Sequence, residues 1–286
     1  MVKSEKMIDP QVTQLMQNNI EIINPSIPRG LIKFAIFDFD GTISLIREGW
    51  QQIMIPMMVD ILSTTPNHES LDELEKIVRA YVAKTTGKQT IYQMIRLAEE
   101  VEKRAGTPQD PLVYKQRYHN LLMERISDRL QGLREGTIHP EDMAVPGALD
   151  ALIQITQAGI LCFLASGTDE KYVIDEAHLL GITTYFQGIY GAQDNYKSFS
   201  KRMVIQKIIQ DNHLRGPELV AFGDGYVEIE DTKTVGGIAI GMATDEASRS
   251  GVDAWKRDRL IASGADVIMQ DFVPFPQLWD YLMLEE

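Results

Sequence analysis

Cysteine, long apolar runs and positive charge are all scarce in this sequence of 286 residues. Its single cysteine, Cys162, excludes an intramolecular disulfide framework, and the apolar run around it favours an inert core thiol. Lysine and arginine number 28 against 41 aspartate and glutamate residues, which gives a net charge of −13. Because so acidic a chain repels polyanions, we expect it to bind neither nucleic acid nor an anionic membrane.

No stretch of about 18 apolar residues occurs, and the first residues contain no apolar signal region. We therefore expect a cytoplasmic protein. The length fits one large domain or two smaller ones. Nothing in the sequence indicates an oligomeric state.

The stretch that organises the rest of the chain begins at Leu31. From there to Phe37 the residues are apolar except for Lys33, which is typical of a strand covered on both faces of a parallel sheet. Asp38 and Asp40 follow at the carboxyl end of this strand, the edge at which open α/β sheets bind ligands. Two carboxylates so close together repel each other, and a hard cation such as Mg²⁺ relieves that repulsion.

Beyond this stretch the hydrophobic pattern changes twice. Between residues 45 and 140 apolar residues recur at helical spacing on four faces, which predicts a bundle of about four helices. From residue 141 onward helices alternate with strands, and the predicted strands are 160–165, 186–190, 219–222, 237–240 and 266–269. Such alternation predicts the α/β fold class, a doubly wound parallel sheet with right-handed crossovers.

We accordingly divide the chain into three parts. Residues 31–44 and 141–286 form the α/β core domain, residues 45–140 form an inserted helical cap domain, and residues 1–30 form a lead-in that packs on the outside of the core. A helix is predicted in the lead-in, beginning near Asp9 and Pro10.

Three of the predicted strands end in polar loops that contain glycine. These loops carry Asp38 and Asp40, then Ser166-Gly167-Thr168, then Asp224 and Glu228, and Lys201 begins the helix between the second loop and the third. Because parallel strands bring their carboxyl ends to one edge of a sheet, these groups are expected to meet. Carboxylates, a hydroxyl, backbone amides and a lysine together provide what phosphoryl transfer requires.

The chemistry predicts a role for each group. Asp38 would attack phosphorus and form an aspartyl-phosphate, and Asp40 would protonate the leaving oxygen and later activate water. Mg²⁺ would be bound by Asp38, the Asp40 carbonyl and Asp224. Five residues are predicted to contact the phosphate oxygens: Ser166, Gly167, Lys201, Gly41 and Thr42.

The motifs resemble those of the haloacid dehalogenase superfamily of hydrolases, specifically its phosphatase branch with an inserted helical cap. Four segments carry the resemblance, which covers residues 31–270 approximately: Asp38-Phe39-Asp40-Gly41-Thr42, Leu164 to Thr168, Lys201, and Gly223 to Glu228. Glu228 stands where this family commonly has aspartate, and the resemblance implies that it is an acid close to the metal ligands.

The resemblance implies a Mg²⁺-dependent phosphatase that acts on a small phosphorylated metabolite, as phosphoglycolate phosphatases do. Family members that remove halide generally lack an acid at the position of Asp40, so its presence favours a phosphatase or a phosphomutase. A phosphomutase of the β-phosphoglucomutase type shares all four motifs and stays open as the first alternative. A binding protein that keeps the fold without catalysis is the second.

Three further positions have competing interpretations. Lys197 is an alternative to Lys201 for the phosphate contact, although its polar surroundings favour a solvated side chain. Arg47 is either a substrate contact or, with Glu48, a surface pair near the hinge. Gly87-Lys88 resembles the end of a nucleotide-binding loop, but the remaining residues of that motif are missing and we reject the reading.

Overall fold

The computed structural model describes residue 15 and residues 19–193 and 200–284. Seven strands form one sheet: β1 (Ile20–Ile22), β2 (Phe34–Phe37), β3 (Leu161–Asp169), β4 (Phe186–Ala192), β5 (Leu219–Gly223), β6 (Ile238–Met242) and β7 (Val267–Met269). Their order is β1-β7-β6-β5-β2-β3-β4, and all neighbours are parallel except β1 and β7. The predicted α/β fold is confirmed.

Ten α-helices lie within the described residues: α1 (Gln51–Ser63), α2 (Leu71–Thr85), α3 (Thr90–Lys103), α4 (Pro111–Glu135), α5 (Ala148–Gln157), α6 (Glu170–Leu179), α7 (Lys201–Asp211), α8 (Tyr226–Thr234), α9 (Ala254–Ala262) and α10 (Phe275–Met283). Helices α1 to α4 lie between β2 and β3 in the chain. We refer to residues 45–140, which contain them, as the helical insert; its boundaries stay a prediction.

Local sequence explains where the helices of the insert begin and end. Ser70 accepts a hydrogen bond from the Glu73 N–H and begins α2, and Asp110 does the same for α4 through the Leu112 N–H. Gly136 ends α4 in the left-handed conformation, at φ 71°.

Strand β2 is buried on both faces, as its apolar sequence predicts. Ala35 and Phe37 belong to the larger hydrophobic cluster, whereas Phe34 and Ile36 belong to a second cluster on the opposite face. The Phe37 ring stacks on Phe222 of β5, with 4.8 Å between ring centroids. The packing of both faces therefore fixes the end of β2, from which the two aspartates extend.

Strand β1 was not predicted from the sequence. Ile20 is fully buried and pairs with Met269 of β7, while Glu21 accepts hydrogen bonds from Arg257 at 2.5 and 2.7 Å. This part of the lead-in thus belongs to the sheet as its antiparallel edge strand. The helix predicted near Asp9 and Pro10 lies outside the described residues, as does Lys197.

Among the described residues no helix combines the length and the apolar character needed to cross a bilayer.

Candidate active site

A cavity of about 100 Å³ lies where β2, β3 and β5 end. Seven of the residues predicted from the sequence line it: Asp38, Asp40, Gly41, Arg47, Gly167, Lys201 and Asp224. Arg47 belongs to the helical insert, which also lines the cavity with Glu48, Trp50, Met54, Thr86, Gly87, Lys88, Thr90, Gln93 and Tyr118. The three loops from separate strands therefore meet at one edge of the sheet, together with side chains from the insert.

Asp38 is buried at the rim of the sheet. Its N–H donates to the Phe222 carbonyl at 2.9 Å, which continues the β2–β5 pairing one residue past β2. Its Oδ1 lies 2.8 Å from Lys201 Nζ. Lys201 is the first residue of α7, a helix whose N-terminus is capped by the Ser200 hydroxyl. The ammonium group is thus placed directly against the predicted nucleophile.

Glu228 forms the second ion pair of Lys201. It belongs to α8, the helix that begins just after β5, and it is 4% exposed. Its other oxygen, Oε2, is buried and accepts no hydrogen bond from any described residue. One buried cation is therefore shared by two carboxylates, an arrangement in which each carboxylate depends on the lysine for its stability.

Asp40 lies in a different environment from Asp38. Its Oδ2 accepts hydrogen bonds from the hydroxyl groups of Thr168 at 2.8 Å and Ser166 at 3.4 Å. Its Oδ1 accepts none from the described residues and lies 3.8 Å from Arg47 Nε. Burial raises the pKa of Asp40 to about 7, although Arg47 and the Thr168 hydroxyl act to lower it. A pKa near neutrality suits a group that first donates and then accepts a proton.

Arg47 is buried, so the interpretation of Arg47 and Glu48 as a surface pair is wrong. The Arg47 guanidinium binds Glu176 of α6 through Nε, at 3.0 Å from each carboxylate oxygen, and through Nη2 at 2.6 Å. Glu48 instead pairs with Arg129 of α4 at 2.9 Å. Glu176 and Arg129 are both distant from residues 47 and 48 in the sequence. The prediction paired Arg47 with Glu48 because the two are neighbours in the chain. Arg47 lines the cavity, and whether it contacts substrate stays a prediction.

The predicted phosphate contacts differ in what they present to the cavity. Ser166 is fully buried, and its hydroxyl accepts the Thr168 N–H at 3.0 Å, whereas Gly167 and Thr168 line the cavity. The N–H of Gly41 donates to the Ser44 carbonyl at 2.9 Å, and the N–H of Thr42 donates to the Phe39 carbonyl at 3.3 Å. These two amides are therefore engaged within the turn itself, which weakens the prediction that Gly41 and Thr42 bind phosphate.

Asp224 pairs with a lysine that the sequence motifs did not indicate. Its Oδ2 lies 2.8 Å from Nζ of Lys256 on α9, and the same ammonium lies 2.5 Å from Glu246 Oε1. Burial raises the pKa of Asp224 to about 6, although Lys256 acts to lower it. Lys256 and Glu246 come after β6, in a segment without a recognisable motif. They add one positive and one negative charge to this end of the site.

The residues present fit a magnesium ion. Gly41 has φ +75°, and a Cβ there would lie 2.4 Å from Asp224 Oδ2, so glycine lets that carboxylate lie against the backbone of the residue that follows Asp40. Asp38, Asp224 and the Asp40 carbonyl offer the hard oxygen donors that Mg²⁺ prefers. No group of three or more histidine, cysteine, aspartate or glutamate side chains within the described ranges forms a complete metal cage. Magnesium sites commonly use only one or two carboxylates, completed by water and substrate phosphate.

The loop between α2 and α3, residues 86–89, covers the cavity from the side of the helical insert. A Cβ on Gly87 would lie 3.2 Å from the Gly225 Cα, and a Cβ on Gly167 would lie 3.1 Å from the Lys88 carbonyl oxygen. The loop backbone thus touches two core loops that carry predicted site residues. The sequence did not predict that this loop lines the cavity. The direction in which a loop points depends on tertiary packing, which hydrophobic spacing does not show.

Comparison with known proteins identifies the family to which the chain belongs. The family model described as haloacid dehalogenase-like hydrolase matches residues 32–230. Since the match covers more than half of the chain, the protein belongs to the haloacid dehalogenase-like hydrolases. A search of curated protein sequences gave no match.

Solved structures share the fold at low sequence identity. A predicted phosphoglycolate phosphatase from Haemophilus somnus has a TM-score of 0.59 at 16% identity, covering 87% of this chain and 98% of its own. A β-phosphoglucomutase from Clostridium difficile has a TM-score of 0.53 at 14% identity, covering 81% and 98%. CbbY from Rhodobacter sphaeroides, in complex with xylulose-(1,5)bisphosphate, has a TM-score of 0.53 at 16% identity, covering 84% and 95%.

Proposed function

We propose that this protein is a Mg²⁺-dependent phosphatase that hydrolyses a small phosphorylated metabolite through an aspartyl-phosphate on Asp38. The observation that carries the proposal is the contrast between two aspartates at the end of one strand. Asp38 lies against the Lys201 ammonium, whereas Asp40 is held by hydroxyl groups and has a pKa of about 7. Carboxylates in such different environments are suited to different roles, one as nucleophile and one as acid and base.

In the first step an Asp38 oxygen bonds to phosphorus while the bond from phosphorus to the leaving oxygen breaks. Asp40 supplies the proton that this oxygen needs. In the second step water attacks the aspartyl-phosphate, Asp40 takes a proton from that water, and phosphate leaves with Asp38 restored. Lys201, 2.8 Å from Asp38, offsets the negative charge that gathers when a phosphate dianion approaches a carboxylate.

Asp38, Asp224 and the carbonyl of Asp40 would hold the magnesium ion. When bound, Mg²⁺ would screen the charges of nucleophile and phosphate from each other. Lys256 and Glu246 lie beside Asp224 and set the charge around that ligand.

The size of the cavity supports a small substrate. Its volume of about 100 Å³ is below the range of roughly 300–1,000 Å³ found for drug-sized ligands. The structural relatives include proteins described as acting on phosphoglycolate and sugar phosphates, which agrees with a compact phosphorylated metabolite. We propose that the helical insert selects the metabolite, because it supplies about half of the cavity lining.

A phosphomutase is the alternative. The close contact between the insert and the core favours it, because a mutase must keep water away from the phosphoryl group. Gly87 approaches Gly225 so closely that only glycine fits at either position without displacement. A site closed in this way would favour return of the phosphoryl group to a sugar hydroxyl.

The test is a phosphate-release screen over a panel of phosphorylated metabolites, with Mg²⁺ or with a chelator, using the wild type and Asp38→Asn. We expect Mg²⁺-dependent release by the wild type and none by the variant, whose circular dichroism should be unchanged. Isomerised product without phosphate release, after priming by a bisphosphate, would identify a phosphomutase. Near-normal release by Asp38→Asn would refute the assigned nucleophile, and no turnover of any phosphoester would favour a binding protein.

A further inference from the structure

The C-terminal end of α2 is completed by a residue from the core. The last four carbonyls of a helix lack partners within it. In α2 the Val82 carbonyl accepts the Thr86 N–H at 2.9 Å, and the Thr85 carbonyl accepts the Lys88 N–H at 3.0 Å. The carbonyls of Ala83 and Lys84 therefore need donors from elsewhere in the molecule.

Arg259 of α9 supplies those donors. Its Nη1 donates to the Ala83 carbonyl at 2.5 Å, and its Nη2 lies 3.3 Å from the Lys84 carbonyl. The same Nη2 lies 3.3 Å from the carbonyl of Thr86, the first residue of the loop that covers the cavity. A guanidinium at this position also complements the negative end of the helix dipole.

The Arg259 side chain is fixed on the core side as well. Its guanidinium carbon lies 4.4 Å from the Tyr226 ring centroid and 5.0 Å from the Trp255 ring centroid. The donors that reach α2 are therefore presented by a group already oriented by two aromatic rings. Little further side-chain entropy is lost when the guanidinium binds the helix end.

The contact lies directly beside the site. Thr86, Gly87 and Lys88 line the cavity, and Gly87 touches the Gly225 backbone of the loop that carries Asp224. Three residues before Arg259 on the same helix, Lys256 binds Asp224 itself. Positions three apart lie on one face of a helix. The same face of α9 therefore carries Lys256, which binds the site residue Asp224, and Arg259, which binds the insert.

We propose that Arg259 is a positioning residue that holds residues 86–89 over the cavity by binding the C-terminal end of α2. In this role it keeps the substrate-facing loop in its closed position and so lowers KM. The kinetic part of the proposal rests on the proposed phosphatase function, whereas the structural part does not.

Hydrogen–deuterium exchange on the substrate-free protein tests the structural part. The variant Arg259→Met keeps an unbranched stem but removes all donors, and it should speed exchange of the amides between residues 83 and 90 about tenfold or more, since their protection reflects local opening. Arg257→Met is the matched control, because Arg257 lies on the same helix and binds Glu21 of β1. It should leave exchange in this segment unchanged.

Unchanged exchange between residues 83 and 90 in Arg259→Met would overturn the proposal. So would faster exchange spread evenly over the chain, because that would show a general loss of stability. Should Arg259→Met fail to fold, Arg259→Lys decides: it keeps the charge but has one donor nitrogen in place of the two that reach the carbonyls of Ala83, Lys84 and Thr86. It should speed exchange in the same segment by a smaller factor, and unchanged exchange would overturn the proposal.

Steady-state kinetics test the consequence for substrate. With a substrate from the phosphate-release screen, Arg259→Met should raise KM about tenfold and change kcat by less than about threefold, as expected when binding is lost equally from ground and transition states. An unchanged KM would overturn the positioning role. If no substrate is found, the phosphatase proposal fails while the exchange result still decides whether Arg259 holds the loop.

Discussion

The two sides of the cavity are built on different principles. On the core side, buried carboxylates at strand ends are held by ion pairs, as in the group formed by Asp38, Lys201 and Glu228. On the side of the insert, a loop backbone lies against core glycines and is held by an arginine that binds helix carbonyls. The core side is fixed by buried ion pairs that are costly to break, whereas the insert side is held by backbone packing and by hydrogen bonds to helix carbonyls.

This difference suggests that the core carries out the chemistry and that the insert selects the substrate. The residues proposed to carry out chemistry lie where the sheet fixes their positions within the core. The residues proposed to select substrate lie on the helical insert, whose loop 86–89 reaches the cavity from outside the sheet. Substitutions on the core side should therefore affect kcat and stability together, and substitutions in the insert should affect mainly KM.

The largest effect is expected from Lys201→Met. Activity should fall by roughly 10²–10³-fold, because the cation beside the nucleophile is lost. The variant should also lose about 3–5 kcal/mol of stability, since two buried carboxylates remain without their partner. Phosphate-release assays and urea unfolding measure the two losses.

Lys207→Met provides the control for this prediction. Lys207 lies on the same helix, is exposed and, among the described residues, forms its ion pair with Asp211 along the helix surface. Its replacement should change neither activity nor the unfolding midpoint. The double variant Lys201→Met with Glu228→Gln should regain part of the stability but none of the activity. Wild-type turnover in Lys201→Met would contradict the claim that the residues on the core side of the cavity carry out the chemistry.

The next largest effect is the pH dependence that Asp40 causes: above its pKa, kcat/KM should fall about tenfold for each pH unit. Its pKa of about 7 means that the protonated acid needed for leaving-group departure declines as pH rises above that value. The profile of kcat/KM should therefore fall on its alkaline side. The Thr168 hydroxyl lowers this pKa, so Thr168→Val should raise it and move the alkaline limb to higher pH. A limb that stays in place, or moves to lower pH, would show that another group is titrating.

The smallest effect is expected from Lys88→Ala in the insert. Lys88 lines the cavity but is exposed, so its attraction to a phosphorylated substrate is screened by water. We expect KM to rise about two- to fivefold with kcat unchanged, and the difference to shrink at high salt. Lys84→Ala, an exposed lysine at the end of α2, should have no effect. A large fall in kcat for Lys88→Ala would place chemistry on the insert side.

The core side could be predicted from the sequence because its signals are local. Asp38 and Asp40 directly follow a buried apolar strand, and parallel strands must bring their ends to one edge. Strand β1 was missed because it is three residues long, contains Glu21 and pairs with β7 at the other end of the chain. Helix α8 has a polar sequence with little amphipathic pattern, so hydrophobic spacing does not predict it.

The insert side could not be predicted for a physical reason. Helical spacing shows which face of α2 is apolar, but it does not show which core residue meets the end of the helix. Arg259 reaches Ala83 across more than 170 residues of sequence. Lys256 and Glu246 were missed for the same reason: only the folded chain brings them to Asp224. Gly87 and Lys88 were noticed, but as part of a nucleotide motif that does not apply.

The most direct test of the central claim is to quench the reaction with acid during turnover and to locate covalent phosphate by mass spectrometry of peptides. The account predicts a phosphoryl group on the peptide that contains Asp38, at the Asp38 carboxylate, and none in Asp38→Asn. Sustained phosphate release with no phosphoryl group on Asp38, or with the label on another side chain, would contradict it.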